Sequence, residues 1–186
     1  MNIHHRKQNG STLIEVLIAL LVFTIGLQGI VSMQYQSVKD NFDSNQRSHG
    51  IWAAQELINR IRANPNGRAA VPPNGSSYSY DGNPCDANEP NPFCADQQAA
   101  QAAACNSSEI AAFDIWESVC STPNQAHNQG RGQLFNPRLI ITCADATCTE
   151  DSQFTLNLQW QSKSITDDDD TDDTLKTEQY SQVFRP

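Results

Sequence analysis

A chain of 186 residues with a formal net charge of −9 has room for about one domain of ordinary size, which excludes large multidomain machinery. The acidic excess would repel phosphate backbones, and the Lys and Arg residues beyond the N-terminal segment are scattered, so the composition argues against a nucleic-acid partner. Hydrophobic residues make up 38% of the chain, and the aliphatic ones are densest in one run near the N-terminus.

The N-terminal region changes abruptly from a polar leader, residues 1–10, to an apolar run. The leader carries Arg6 and Lys7, whereas residues 16–38 contain no charged side chain. A helix over this run reaches about 35 Å, which is enough to cross a bilayer core of about 30 Å. Basic residues before the run and an acidic, cysteine-bearing region after it predict a single pass, with the N-terminus in the cytoplasm and the C-terminal region in the periplasm. A cleaved secretory signal is the alternative, but no small-x-small site follows the run.

The junction between leader and run reads GSTLIE over residues 10–15. A glycine, a short polar step and an acid at the edge of an uncharged apolar helix resemble the class III signal of type IV prepilins. The resemblance implies that a prepilin peptidase cleaves between Gly10 and Ser11 and that the new N-terminus, Ser11, is methylated. It also implies that Glu15 is an acid used in assembly. Ser11 stands where the family usually has Phe.

Glu15 also has a purely structural interpretation. Thr12 and Glu15 have the spacing of a capping box, in which Thr12 caps a helix and Glu15 returns to its backbone N–H. A carboxylate inside a bilayer costs about 2.5 to 3.5 kcal/mol, so we expect Glu15 to lie at the interface or beside a cation. The amine created at Ser11 by cleavage is the candidate cation. The glycine, the leader and the apolar run together favour the prepilin interpretation.

Helical periodicity continues beyond the apolar run. The apolar residues that recur at steps of three and four are Ile51, Ala54, Leu57, Ile58 and Ile61. This pattern predicts one apolar stripe facing a core. We expect the helix to end at NPNG, residues 64–67, because a residue before proline is pushed out of the α region. The predicted spine helix therefore spans residues 11–63.

Residues 64–134 are rich in Pro, Gly, Asn, Gln and Ala and are predicted to form a loop region with one short helix. We expect that helix to begin with Ser107-Ser108-Glu109 and to bury Phe113 and Trp116. Residues 135–186 are predicted to form an antiparallel meander, with strands at 138–143, 154–161 and 176–184. The middle run, FTLNLQWQ, alternates apolar and polar residues with the period of a half-buried strand.

The chain has six cysteines, at Cys85, Cys94, Cys105, Cys120, Cys143 and Cys148. An even set downstream of a membrane segment predicts a disulfide framework in an oxidising compartment. Many pairings are possible for such a set, and Cys143 with Cys148 is the closest pair in sequence. A zinc site that combines these two cysteines with His127 is the alternative, although close Cys-x2-Cys pairs are absent.

An acidic run over residues 167–173 lies between two of the predicted strands. A solvated hairpin loop is the simpler interpretation. Asp168, Asp170 and Asp172 are candidate calcium ligands, but the Gly and the terminal Glu of an EF-hand loop are absent. We predict no other metal site, no cofactor and no catalytic residue, because no ordered nucleophile, base and acid emerge from the sequence.

Three later blocks, RSHGIWAAQELINRIRANPNG, CNSSEIAAFDIWES and FTLNLQW, resemble PilV-type minor pilins. The resemblance implies an α+β fold of the type IV pilin kind, in which a long N-terminal helix, half membrane-spanning and half amphipathic, packs on a disulfide-tied antiparallel sheet. It implies a low-copy subunit of the pilus that acts in a tip priming complex and serves adhesion and twitching motility. The implied partners are the prepilin peptidase, other minor pilins, the major pilin, an inner-membrane assembly platform and a large tip adhesin. A type II secretion pseudopilin and a signal-anchored periplasmic protein are the rival interpretations.

Overall fold

The structure is a computed structural model that describes residues 12–69, 75–86, 90–95, 104–120, 134–163 and 175–186. The chain divides into two compact units, Met1–Phe42 and Asp43–Pro186. Helix α1, Leu13–Ala63, is 51 residues long and contributes to both units. Its end at Ala63 confirms the terminus predicted from the Asn-Pro-Asn-Gly sequence.

The first unit presents its apolar side chains to the outside. The exposed fraction of the large apolar residues ranges from 87% at Leu13 to 43% at Leu27. The most apolar window of α1 has a mean hydropathy of 2.3 and is 0% buried, and the helix is long and apolar enough to cross a membrane. Within the described residues, no other segment of this unit covers the apolar surface, so lipid or other helices must cover it.

The second unit, which we call the head, buries one face of α1. The residues of α1 that it buries are Gln46, Gly50, Ala53, Ala54, Leu57, Ile58 and Ile61. Four of the five residues in the predicted stripe are therefore buried, while Ile51 is only half-buried. The small residues Gly50 and Ala53 are buried as well, Gly50 against the Trp160 ring of the sheet, so hydrophobic periodicity alone misplaced the edge of the stripe.

The sheet of the head is an antiparallel meander of four strands in the order β1-β2-β3-β4. These strands are β1 Tyr80–Gly82, β2 Phe135–Cys143, β3 Phe154–Lys163 and β4 Leu175–Phe184. The last three confirm the predicted strands, and β1 was not predicted. β2 begins earlier than expected because a register shift between Phe135 and Arg138 accommodates Asn136, at φ 47°, and Pro137.

The core lies between α1 and the sheet. Alternate residues of β3, from Phe154 to Trp160, are at most 2% exposed, as their period-two pattern predicts. Each large side chain buried in this way stabilises the fold by about 1.5 to 3 kcal/mol. The fold class predicted from the sequence is thus confirmed: a long N-terminal helix packs on a disulfide-tied antiparallel sheet.

Two short helices complete the head. Helix α2, Pro65–Arg68, follows α1 after the buried Asn64. Helix α3, Ser107–Val119, buries Phe113 and Trp116 as predicted. It begins at Ser107, as predicted, and its cap is Asn106: the Asn106 side chain accepts from the backbone of the first turn, and Glu109 accepts from the Asn106 N–H at 2.8 Å.

Candidate functional site

The start of α1 carries the acid predicted to act in assembly. Glu15 lies in the first turn, and its backbone N–H donates to the carbonyl oxygen of Thr12 at 2.9 Å. A carboxylate at this position interacts favourably with the helix dipole. It is the one formal charge between Leu13 and Val38. The predicted cleavage and methylation residues, Gly10 and Ser11, lie outside the described residues, as does the leader.

Polar groups inside the apolar stretch of α1 are suited to lipid. The Thr24 hydroxyl donates to the carbonyl oxygen of Leu21 at 2.8 Å, so the helix itself satisfies it. Gly26 and Gly29 have no atom within 4 Å of where a Cβ would stand. They leave shallow notches at which another helix could approach closely. This surface has the properties of a segment that exchanges lipid for neighbouring helices.

A polar network ties the head end of α1 to α3. Arg60 donates to Glu56 at 2.9 Å and to Asp114 at 3.2 Å, and its guanidinium lies 2.6 Å from a Glu117 oxygen. Burial lowers the pKa of Arg60, but the hydrogen bonds to Glu56 and Asp114 and the charge of Glu117 outweigh it, so the net direction is upward. Arg60 therefore stays charged and holds three carboxylates of two helices together.

The same network continues through Tyr78 to the end of α1. The Tyr78 hydroxyl donates to Asp114 at 2.6 Å and accepts from Asn64 at 3.1 Å. Burial, and then the hydrogen bond and charge of Asp114, raise the pKa of Tyr78 well above its ordinary value. Because Asn64 also donates to the Ser107 carbonyl oxygen at 2.8 Å, the start of α3 is joined to the end of α1.

Arg68 closes the C-terminus of α1 and was not singled out in the sequence. It is 8% exposed, and its guanidinium donates to the carbonyl oxygens of Ile61, Arg62 and Glu150 at 2.6 to 3.0 Å. Two of these are carbonyls at the end of a helix, which have no partner within the helix itself. The third belongs to the connection between β2 and β3. A basic residue shortly after the end of a helix was the only sequence signal for this cap.

Three disulfides use all six cysteines of the chain. Cys85 is paired with Cys120 and Cys94 with Cys105, so both bonds tie the loop region to itself around α3. Cys143 is paired with Cys148, with the Cα atoms 6.1 Å apart. Because these cysteines are disulfide-bonded, they supply no thiolate to the alternative zinc site, whose His127 lies outside the described residues.

The remaining candidates lie beyond the described part of the chain. The calcium candidates Asp168, Asp170 and Asp172 are outside the described residues. Among the residues that the structure does describe, no group of three or more His, Cys, Asp or Glu side chains is placed to hold a metal ion.

Together these features define a class of protein: a membrane-anchored subunit with an apolar N-terminal helix and a disulfide-tied α+β head. Comparison with known families agrees. The model for the prokaryotic N-terminal methylation motif matches residues 5–27, and the model described as type IV pilin Tt1218 matches residues 32–116. No curated protein and no solved structure matches the chain.

The chain is a type IV pilin with a prepilin methylation signal. Proteins of this family are structural subunits and not enzymes. The methylation motif implies processing by a prepilin peptidase and assembly with other pilins, and the apolar helix makes the protein a membrane-anchored component of the pilus.

Proposed function

We propose that this pilin is a minor, low-copy subunit of the PilV type, which joins a tip priming complex for pilus assembly and thereby serves adhesion and twitching motility. Its partners in this proposal are other minor pilins, the major pilin, the inner-membrane assembly platform and a large tip adhesin. The support comes from the blocks after the membrane segment that resemble PilV-type subunits, most of which fall within the part of the chain matched by the pilin model.

The proposal assigns a role to each part of the chain. Residues 1–10 are a cytoplasmic leader, residues 11–63 a spine helix, residues 64–134 a cysteine-bearing loop region, and residues 135–186 a periplasmic meander. Cleavage falls between Gly10 and Ser11, Ser11 is methylated, and Glu15 acts in assembly. The mature protein resides in the inner membrane before assembly and is then incorporated into the pilus on the cell surface.

The observation that carries the mechanism is the exposed apolar surface of α1 before Asp43. A surface that is 0% buried over its most apolar window must be covered, first by lipid and then by the helices of neighbouring subunits. An uncompensated Glu15 carboxylate costs about 2.5 to 3.5 kcal/mol if it enters the interior of the bilayer during extraction from the membrane. Pairing with the N-terminal amine of this or a neighbouring pilin relieves that cost.

N-terminal sequencing of the membrane-purified protein tests the processing step. The proposal expects a mature chain that begins at Ser11 and occurs at low abundance in sheared pili. A chain that still begins at Met1 would contradict the pilin mechanism and favour a signal-anchored periplasmic protein. A processed chain that stays in the cell envelope and is missing from sheared fibres would favour a type II secretion pseudopilin.

Two matched substitutions separate the assembly role of Glu15 from a cap. Glu15→Gln keeps a side chain that can complete a capping box but removes the charge, whereas Thr12→Ala removes the cap and keeps the charge. We expect Glu15→Gln to lower incorporation into sheared pili by about tenfold or more, the effect of losing about 1.4 kcal/mol, and Thr12→Ala to change it little. The reverse order would assign Glu15 to helix capping.

A further inference from the structure

Strand β4 forms one edge of the sheet, and no other strand among the described residues pairs with its outer side. The strand order is β1-β2-β3-β4, and β4 pairs with β3 through ten consecutive residue pairs without a register shift. Along an edge strand, alternate residues direct their backbone N–H and C=O groups away from the sheet. About five residues of β4 therefore offer a donor and an acceptor to another strand.

The two edges of the sheet differ in how well they are protected from such pairing. β1 is three residues long, and its Asp81 is paired with Arg138 at 3.0 Å. β4 is ten residues long, and its charged residues, Lys176 and Glu178, lie near its start and pair with each other. The remaining section, Gln179–Phe184, has no charge, no proline and no bulge, which are the usual protections of an edge strand. We call this section the open edge.

The flank of α1 that lies toward β4 is incompletely covered. The Gln55 side chain donates to the Tyr180 hydroxyl at 2.8 Å and to a Gln182 oxygen at 2.5 Å, so it faces β4. Ile51 precedes Gln55 by one helical turn and therefore lies on the same flank. It belongs to the apolar stripe predicted from the sequence but is only half-buried. A further strand beside β4 would extend the sheet under this flank and cover Ile51.

The direction of β4 relative to α1 limits which strand could be added. Asp43, at the start of the head part of α1, accepts from Ser162 at 2.9 Å, and Ser162 pairs with Lys176 at the start of β4. The Arg62 guanidinium, near the end of α1, lies 5.9 Å from the centroid of the Phe184 ring, at the end of β4. β4 thus runs in the direction of α1, and β1 runs against it, because three successive antiparallel pairings separate β1 from β4.

We propose that the open edge accepts the first strand of a neighbouring pilin head of the same topology, so that one antiparallel sheet continues across two subunits. The inference rests on the proposed assembly into a pilus and names a contact between heads. Subunits anchored in one membrane have spine helices of the same direction, so the first strand of the neighbour meets β4 antiparallel, which is the more stable pairing. Antiparallel pairing of two β4 strands would instead set the two spine helices in opposite directions, which argues against a two-fold dimer.

A charge placed on the open edge tests this contact in the whole chain. Ser181 is exposed, and we expect Ser181→Lys to lower incorporation into sheared pili by about tenfold. Thr142→Lys places the same charge at an exposed position of β2 and should leave incorporation unchanged. Ser181→Ala keeps the backbone groups and should also be incorporated normally. Normal incorporation of Ser181→Lys would overturn the proposal, as would an equal loss in either control.

Photocrosslinking identifies the occupant. With p-benzoylphenylalanine in place of Ser181, irradiation of cells that make pili should link this chain to the edge strand of another pilin head, located by mass spectrometry of the crosslinked peptide. The same probe in place of Thr142 should not yield that product. Crosslinks from position 181 only to a spine helix, or only to a protein that is not a pilin, would overturn the assignment. Because this chain lacks the added charge, the result stands whether or not Ser181→Lys lowers the unfolding midpoint.

The two proposals fail in different ways. If the unsubstituted protein occurs in sheared pili but position 181 gives no crosslink to a pilin head, the contact is wrong and the minor-pilin function stands. If position 181 crosslinks a pilin-type head while the protein is missing from sheared fibres, the contact stands and the minor-pilin function is wrong.

Discussion

The two parts of helix α1 differ in what covers their apolar side chains. Before Lys39 the helix carries a single charged residue, Glu15, and none of its most apolar window is covered by the chain itself. After Asp43 it is amphipathic, and one face, including Leu57 and Ile58 at 0% exposure, is buried by the sheet. A single pilin helix can therefore be packed within its own subunit at one end and leave an apolar surface for other molecules to cover at the other end.

The same substitution at the two ends gives the sharpest contrast and the largest expected effect. Leu57→Ala should destabilise the head by about 4 kcal/mol, because it removes a fully buried side chain and leaves a cavity. Leu17→Ala, at a residue that is 65% exposed, should leave the unfolding of the head unchanged. Urea unfolding of the detergent-solubilised chain, followed by tryptophan fluorescence, reports on the head because Trp52, Trp116 and Trp160 all lie in it. Equal losses would mean that the two parts unfold as one unit.

A glycine pair gives a smaller contrast. A Cβ added at Gly50 would lie 2.8 Å from Cζ3 of the buried Trp160 ring, whereas one added at Gly26 would meet nothing within 4 Å. Gly50→Ala should destabilise the head by about 1 to 2 kcal/mol, because the overpacking exceeds the helix propensity that alanine gains. Gly26→Ala should not lower the unfolding midpoint. A Gly50→Ala protein as stable as the unsubstituted chain would show that the Trp160 ring moves aside without cost.

The smallest expected effect is a loss of stability at high pH, and it concerns a residue of the head. Because the pKa of Tyr78 is raised on folding, its contribution to stability is complete below the unfolded pKa of about 10 and is lost as pH rises above it. In that range the unfolded chain releases the tyrosine proton and the folded chain retains it. Between about pH 10 and 11 the unsubstituted protein should lose about 1 kcal/mol more stability than Tyr78→Phe. Parallel pH dependences of the two proteins would show that Tyr78 titrates alike in both states.

Much of the fold could be predicted because the patterns that encode it are local. The uncharged run before Lys39 indicates a membrane helix, Asn64-Pro65 marks the end of α1, and the alternation from Phe154 to Trp160 indicates a buried strand. β1 could not be predicted, because it is three residues long and is held only by pairing with the distant β2. A strand of that length has no periodicity of its own.

The residues of the candidate site also differ in whether the sequence alone reveals them. The prepilin methylation signal is a contiguous motif, matched over residues 5–27, so sequence comparison recognises it without a structure. Trp52 also lay within a block that resembled minor pilins, yet the sequence did not show that its side chain is exposed while the next residue, Ala53, is buried.

The sequence by itself determined the membrane helix, the length of the spine and the meander, since each depends on the hydropathy and backbone preference of neighbouring residues. Only the tertiary structure decided which cysteines pair, why Gly50 must be small, and how Arg60 and Tyr78 meet at Asp114. These contacts join residues far apart in the chain, and their proximity follows from how the helix and the sheet pack together.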